Sequence, residues 1–393
     1  MNNTQLVLID ILRSFATDYS QKPNIEGVDT QALFKLSKKH SVIGIVAHIL
    51  DKFDLFESEE VRAKFMHEYD RTVMNMLSRE ASAMSISAQL RSLSIKHILF
   101  KGMMVSAAYP IPYLRTYGDA DIVIPKQDVE KLRDYMKSKG YEHSLADAGV
   151  VNVFKKNKEH YEFHKNLNVS NLTDKSYFEK LWENVTSRDE YTYEFEHNFH
   201  LCYLITHLEK HVYGSGAGLR MYLDIALYIK KYSESLDLLK VRDDLSSMGL
   251  GTFFNTVLYI CNKWFAFPAP DWVVPLEDEV YNNMCDFTFS GGVFGDQSAE
   301  KIAENALRHN MSTGKKNARV RFFLERIFPP FSELERMYPR YSGKPLLVPA
   351  AWVNHIFHFF KDKKYGRVKV ITSANTTEAQ IKKKFLESIG SVH

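Results

Sequence analysis

The chain has 393 residues, 45% of them hydrophobic, and its 51 Lys and Arg against 48 Asp and Glu leave a formal net charge of +3. This length and apolar content support a large core divided among two or three domains, and so near-neutral a balance creates no whole-chain field that demands a nucleic-acid partner. The start, Met1-Asn2-Asn3-Thr4-Gln5, lacks the basic region of a secretory signal, Asp10 interrupts the first apolar stretch, and no uncharged apolar run reaches membrane-spanning length.

The first 95 residues read as helical, most clearly over 59–92. There Val61, Phe65, Tyr69, Val73, Met76 and Leu77 recur at three- and four-residue spacing and form one apolar stripe. Met74, Met76 and Met84 read as gap-filling core residues rather than a metal or cofactor box. From Lys96 the pattern changes. Ile98-Leu99-Phe100 is a short buried strand closed by Lys101-Gly102, and a helix over 103–109 is stopped by Pro110 and Pro112. After a strand around Asp119, residues 126–139 place Val129, Leu132, Tyr135 and Met136 at helical spacing, with Gly140 as C-terminal cap. Strands over 150–154 and 161–167 flank the polar turn Lys155-Lys156-Asn157-Lys158. Helices follow over 198–213, 219–232, 236–247, 253–264, 297–309, 318–327 and 350–360. Gly214 to Gly218 separate the first two, and Pro329-Pro330, Pro339 and Pro345 punctuate the end. No internal repeat or low-complexity tract interrupts this order. Cys202, Cys261 and Cys285, odd in number and widely spaced, read as reduced, buried thiols of a cytoplasmic protein. The expected fold class is α+β: an N-terminal helical region over 1–95, a small mixed sheet with helices over 96–175, and a C-terminal helical domain over 176–393.

Chemistry concentrates in Arg115-Thr116-Tyr117-Gly118-Asp119-Ala120-Asp121-Ile122-Val123-Ile124. On a strand, Asp119 and Asp121 project from one face roughly 6 to 7 Å apart. Flexible carboxylates at that separation can share two Mg²⁺ ions, which lie about 3.5 to 4 Å apart in two-metal phosphoryl-transfer sites. The β-branched run that follows is the mark of a strand buried on both faces. In His160-Tyr161-Glu162-Phe163-His164, alternation places His160, Glu162 and His164 together, and Glu162 can supply a third carboxylate. The free N–H groups of the helix after Lys101-Gly102 suit a phosphate, and Lys101 and Arg115 can neutralise more of its charge. Asp-x-Asp pairs also cap turns, and a slipped register would bring Glu159 or Asp147 into the place of Glu162.

At these residues the chain resembles the nucleotidyltransferase superfamily built on the DNA polymerase β-like fold. That pattern is a Gly-containing strand-to-helix turn, an Asp-x-Asp strand and a third acidic residue on a later strand, matched here by Gly102, Asp119 with Asp121, and Glu162. It is more closely similar to an uncharacterised bacterial nucleotidyltransferase-like family with a Leu-Lys-Gly-type turn, an Arg before Gly-Asp-x-Asp and a Glu-x-His strand. Phe100-Lys101-Gly102, Arg115, Gly118 and Glu162-Phe163-His164 stand at those positions. The resemblance runs on through His207, His211, Arg220 and Asp224 and covers about residues 30 to 365. One departure is Met103, where the Gly-Gly or Gly-Ser turn has a second small residue, and the gap from Gly102 to Asp119 is long.

The resemblance implies transfer of a nucleoside monophosphate from a nucleoside triphosphate to an acceptor hydroxyl, with pyrophosphate released. Asp119, Asp121 and Glu162 would be catalytic and would hold two Mg²⁺ ions, with Mn²⁺ as a substitute. Lys101, Gly102, Arg115, Gly118 and Arg220 would bind nucleotide phosphate, and His164, His207, His211 and Asp224 would line the substrate pocket. The acceptor is open between a small molecule, a protein and an RNA, and ATP and the other triphosphates are equal candidates as donor. A catalytically silent nucleotide-binding or assembly protein is the alternative, and a phosphohydrolase using a transition metal on the His160, Glu162 and His164 face is a third. By spacing alone, His207 and His211 are a packed pair on one helix face, and Arg220 with Asp224 an i,i+4 ion pair. Lys315-Lys316 with Arg319 and Arg321, and Lys361 with Lys363, Lys364 and Arg367, read as solvated helix faces, to which an RNA acceptor would give a use.

Overall fold

The structure, a computed structural model, describes residues 1–146, 151–157, 159–167, 169, 176–214, 216–292, 327–341, 343–361 and 376–391. Four helices open the chain: α1 (Asn3–Ala16), α2 (Thr30–Lys39), α3 (Ile43–Lys52) and α4 (Glu59–Ser92). A mixed region follows, with β1 (His97–Phe100), α5 (Gly102–Ser106), β2 (Ala120–Val123), α6 (Val129–Ser138), β3 (Glu142–Ala146), β4 (Val151–Lys156), β5 (Glu159–His164), α7 (Ser176–Glu179), β6 (Val185–Ser187) and β7 (Thr192–Phe195). Beyond it come α8 (His197–Tyr213), α9 (Leu219–Lys231), α10 (Leu238–Ser247), α11 (Gly251–Phe265), α12 (Asp278–Gly291), α13 (Phe331–Met337), α14 (Val348–Lys361) and α15 (Thr376–Ser388). The expected helix over 297–309, all but the last residue of 318–327, Asp147 and most of both basic clusters lie outside the described residues.

Helix starts follow from local chemistry. Ser58 caps α4 by accepting from the Val61 N–H, and Glu59 and Glu60 place negative charge at the positive end of its dipole. Asp29 and Asp237 cap α2 and α10 with the same side-chain bond. No described helix is long and apolar enough to cross a membrane.

The strands form one seven-stranded mixed sheet in the order β3-β4-β5-β2-β1-β7-β6. β1 runs antiparallel to β2, whereas β2 and β5 are parallel, as are β1 and β7. The sheet thus continues past residue 175 into β6 and β7, and begins with β3, none of which periodicity reveals. One face meets the second half of α4 and helix α6, where Ala83, Ile86 and Leu90 pack with Ala120, Ile122, Phe163, Leu132 and Met136. From the other face Ile98, Phe100 and Val123 enter a larger core shared with α1, α3, α8, α9 and α11. The N-terminal helices therefore pack into the C-terminal ones rather than standing apart from them. A buried His97 ties α4 to the sheet, its Nε2 2.7 Å from the Ser87 hydroxyl.

The α4 stripe is only partly core. Phe65 and Met76 are buried, but Met74, Leu77 and Met84 are exposed, which corrects the reading of Met74 and Met84 as gap fillers. The buried positions of α4 shift from Phe65, Thr72 and Met76 in its first half to Ala83, Ile86 and Leu90 in its second, and Met74, Leu77 and Met84 fall outside both sets. The three cysteines are buried free thiols.

Candidate active site

Register assembles the site. Asp121 on β2 lies opposite Glu162 on parallel β5 and opposite Phe100 on antiparallel β1. Because side chains alternate, Asp119, Asp121, His160, Glu162 and His164 all face the same side at one end of the sheet. Ligand atoms of Asp119, His160 and Glu162 lie within 4.8 Å of one another, as do those of Asp121, Glu162 and His164, so Glu162 belongs to both groups. Glu159, on the opposite face, accepts from the Tyr141 hydroxyl at 2.5 Å instead.

Two donors converge on one oxygen of the buried Asp121. Lys101 Nζ donates to Oδ1 at 2.6 Å, and His164 Nε2 donates to the same atom at 2.8 Å. Burial alone would raise the Asp121 carboxyl, but the Lys101 ammonium and the His164 bond hold it well below the usual carboxylate range. Asp121 in turn outweighs desolvation at Lys101 and raises its ammonium. Burial lowers His164, so its imidazole is neutral, with Nε2–H fixed by the carboxylate and Nδ1 without a partner among the described residues. Glu162 is different. Burial, then the charges of Asp119 and Asp121, push its carboxyl up to about 7.

Desolvation and neighbouring like charges act in the same direction on this carboxyl. The oxygen-rich donor set of Asp119, Asp121 and Glu162, with more negative charge than Lys101 offsets, fits a hard divalent cation.

The turn after β1 is tightly built. Lys101 has φ +50° and ψ −118°, a conformation that costs a non-glycine residue roughly 1 to 3 kcal/mol and aims its side chain at Asp121. Gly102 opens α5 because nothing larger fits: a Cβ there would lie 2.6 Å from Tyr117 Cβ and 2.7 Å from Arg115 Nη1. The segment bearing Asp119 therefore lies directly on Gly102, and the Tyr117 N–H is further pinned to Met76 Sδ at 3.4 Å. Gly118 has open space around it.

Arg115 forms a buried bidentate pair with Asp224, Nε to Oδ1 at 3.1 Å and Nη2 to Oδ2 at 2.8 Å, and the Tyr109 hydroxyl donates to Oδ1 at 2.6 Å. The i,i+4 pair of Arg220 with Asp224 does not form, because Asp224 is turned to Arg115. Arg220 Nη1 donates instead to the Thr116 carbonyl at 2.6 Å and hydroxyl at 2.9 Å. Burial, with Arg115 nearby, lowers the Arg220 guanidinium to about 10, and its Nε has no partner among the described residues. His207 and His211 share one face of α8, their rings 4.7 Å apart. Burial pushes His207 well below the usual histidine range, with Lys101 adding to it, and takes His211 down to about 4. Both imidazoles are neutral, and Tyr203 stacks on His207 and meets Phe100 at a tilt of 58°. The fold thus brings Lys101, Gly102, Arg115, Asp119, Asp121, Glu162, His164, His207, His211, Arg220 and Asp224 to one end of the sheet. Tyr109, Thr116 and Tyr117 join them unannounced, since their partners lie far along the chain.

A cavity of about 300 Å³ opens between α4 and this end of the sheet, with Asp119 and His160 in its wall. No curated protein and no solved structure matches the chain. A family model described as uncharacterised nucleotidyltransferase matches residues 26–266, and the chain belongs to that family.

Proposed function

We propose that the chain is a Mg²⁺-dependent nucleotidyltransferase that moves a nucleoside monophosphate from a triphosphate to an acceptor hydroxyl. The observation that carries this is the shared position of Glu162, within 4.8 Å of donor atoms from both aspartate-containing groups and pushed up to about 7 by its burial and then by the charges of Asp119 and Asp121. Asp119, Asp121 and Glu162 would hold the divalent ions, which when bound supply charge to the triphosphate oxygens and acidify the attacking hydroxyl.

The remaining roles belong to the chain. Lys101, Arg220 and the start of α5 draw the triphosphate to the side of the carboxylates that faces α8 and α9. Arg115 and Gly102 fix the segment that carries Gly118 and Asp119, and Arg115 Nη1, lying against Gly102, faces phosphate there. His164 orients Asp121, Asp224 orients Arg115, and His207 and His211 wall the pocket with neutral imidazoles. The acceptor oxygen bonds to the α-phosphorus, its proton passes to Glu162, and the bond from that phosphorus to the bridging oxygen breaks to release pyrophosphate. Three buried free thiols suit a reducing, cytoplasmic setting.

The test is thermal stability of the wild type, Asp119→Asn and Asp121→Asn against ATP, GTP, CTP and UTP, with and without Mg²⁺. A ligand at about 100 times its Kd stabilises the native state by about 2.7 kcal/mol. Selective, Mg²⁺-dependent stabilisation in the wild type alone is expected, and its absence with all four nucleotides would overturn the reading. One observation favours a second reading, a silent nucleotide-binding protein. Tyr117 and Arg115 already lie against Gly102, where a phosphate would approach, and Met103 follows. Mg²⁺-dependent nucleotide binding with no nucleotidylated product from small-molecule, protein or RNA acceptors would select it.

A further inference from the structure

The cavity beside Asp119 is not explained by nucleotide binding. It lies between α4 and the end of the sheet, and none of Lys101, His207, His211 and Arg220 is among the residues that line it. Its wall includes Arg79, Ser82, Ser85, Tyr117, Asp119 and His160, and at about 300 Å³ it has the size of a small-molecule site. Ser82 is hydrogen-bonded to the Tyr161 hydroxyl at 2.6 Å, so this wall is polar and ordered.

Arg79 is the one cation in that lining. It is half-buried, its charge acts on both His160 and Tyr117, and it forms no ion pair among the described residues. The lining also carries Asp119 and Glu159, but Glu159 accepts from the Tyr141 hydroxyl and neither pairs with Arg79, whose half-buried guanidinium is matched to a planar or tetrahedral anion that can take two of its N–H groups. The second constraint is stereochemical. Attacking and leaving oxygens stand roughly in line across the phosphorus, so an acceptor must enter opposite the departing phosphates. With those phosphates toward Lys101 and α8, the opposite side is this cavity.

Resting on the nucleotidyltransferase reading, we infer that the α4 cavity is the acceptor site and that the acceptor is a small alcohol carrying a carboxylate or phosphate held by Arg79. The alcohol oxygen is then delivered past Asp119 to the α-phosphorus. A chain end of RNA, with its run of phosphates, is not what a small half-open pocket with a single cation selects.

Titration calorimetry with glycerol 3-phosphate, D-glycerate and uncharged glycerol tests this on the full chain with Mg²⁺ and the nucleotide found above. At least one anionic probe binds and glycerol does not, and the stronger of the two anions names the group. Arg79→Gln removes a charged hydrogen-bonding partner and weakens anion binding about 10- to 100-fold, while nucleotide affinity stays within about twofold. Ser85→Trp, which fills the cavity from an exposed position on α4, blocks the anion and spares the nucleotide. Equal binding of glycerol and the anions, no anion binding at millimolar concentration, or loss of nucleotide rather than anion in either variant overturns the assignment. Failure of the parent reading looks different: no Mg²⁺-dependent nucleotide binding in the wild type, whatever the anions do.

Discussion

Replacing Arg115 tests how the site is held together. In the folded chain the Asp224 carboxylate accepts three hydrogen bonds, two from Arg115 and one from Tyr109, and the Arg115 and Asp224 side chains are only 10% and 8% exposed. Arg115→Met removes two of the three and leaves a buried carboxylate facing a single hydroxyl, which costs about 3 to 5 kcal/mol. Asp224→Asn leaves the guanidinium buried without its counter-charge, at a similar cost. In the double variant neither charge is stranded, so its destabilisation falls short of the sum of the singles by about 2 to 4 kcal/mol. Arg115→Lys does not rescue, because an ammonium cannot make the two-pronged contact. Urea denaturation of all four proteins gives the cycle from the midpoints at constant slope. Single-variant losses that add within about 0.5 kcal/mol would refute the claim that this pair anchors the segment bearing Asp119.

Gly102→Ala drives a methyl group into Tyr117 and Arg115, so a loss of about 1 to 3 kcal/mol in denaturation is expected, together with loss of Mg²⁺-dependent nucleotide stabilisation. Wild-type behaviour would mean that the 115–117 segment moves freely. His200, buried against Tyr228, titrates at about 3 in the folded chain because burial opposes its charge. The unfolded chain binds that proton below its ordinary value of about 6.5 while the folded chain refuses it. Stability is therefore whole above pH 6.5 and declines as pH falls toward 3, by about 1.4 kcal/mol per unit from this group. His200→Phe flattens the slope of stability against pH in that window, and an unchanged slope would contradict it. Burial raises Cys202 to about 12, and Cys261 and Cys285 are also raised, so a thiol reagent near neutral pH labels none of the three until the chain unfolds.

The parts of the site legible in the sequence were those with a local period. Asp119 with Asp121, and His160, Glu162 and His164, share faces because strands repeat every two residues, whereas the parallel pairing of β2 with β5 that brings the two sets together is a long-range choice no local period shows. His207 and His211 follow from helical spacing in the same way. What local spacing could not show was long-range choice. Arg220 and Asp224 sit at i and i+4, yet Asp224 takes Arg115, 109 residues away, and Arg220 takes Thr116. Strands β6 and β7 have 3 and 4 residues, too few side chains for alternation to register. Gly102 reads locally as a phosphate turn, but its contact with Tyr117 depends on a loop that returns 15 residues later. The exposure of Met74 and Met84 was hidden because periodicity reports a stripe without saying where its neighbour ends.

Helix α4 contributes Phe65 to the larger core and Ala83, Ile86 and Leu90 to the one beneath the sheet. At 1.5 Å per residue its 34 residues make a rod about 51 Å long. A continuous rod cemented into two cores lets neither melt alone: fraying at the α3 end loosens the wall that carries Arg79 and Ser82. The opening helices and the carboxylate-bearing sheet thus form one cooperative unit, and the segment before residue 95 cannot be trimmed away as an appendage.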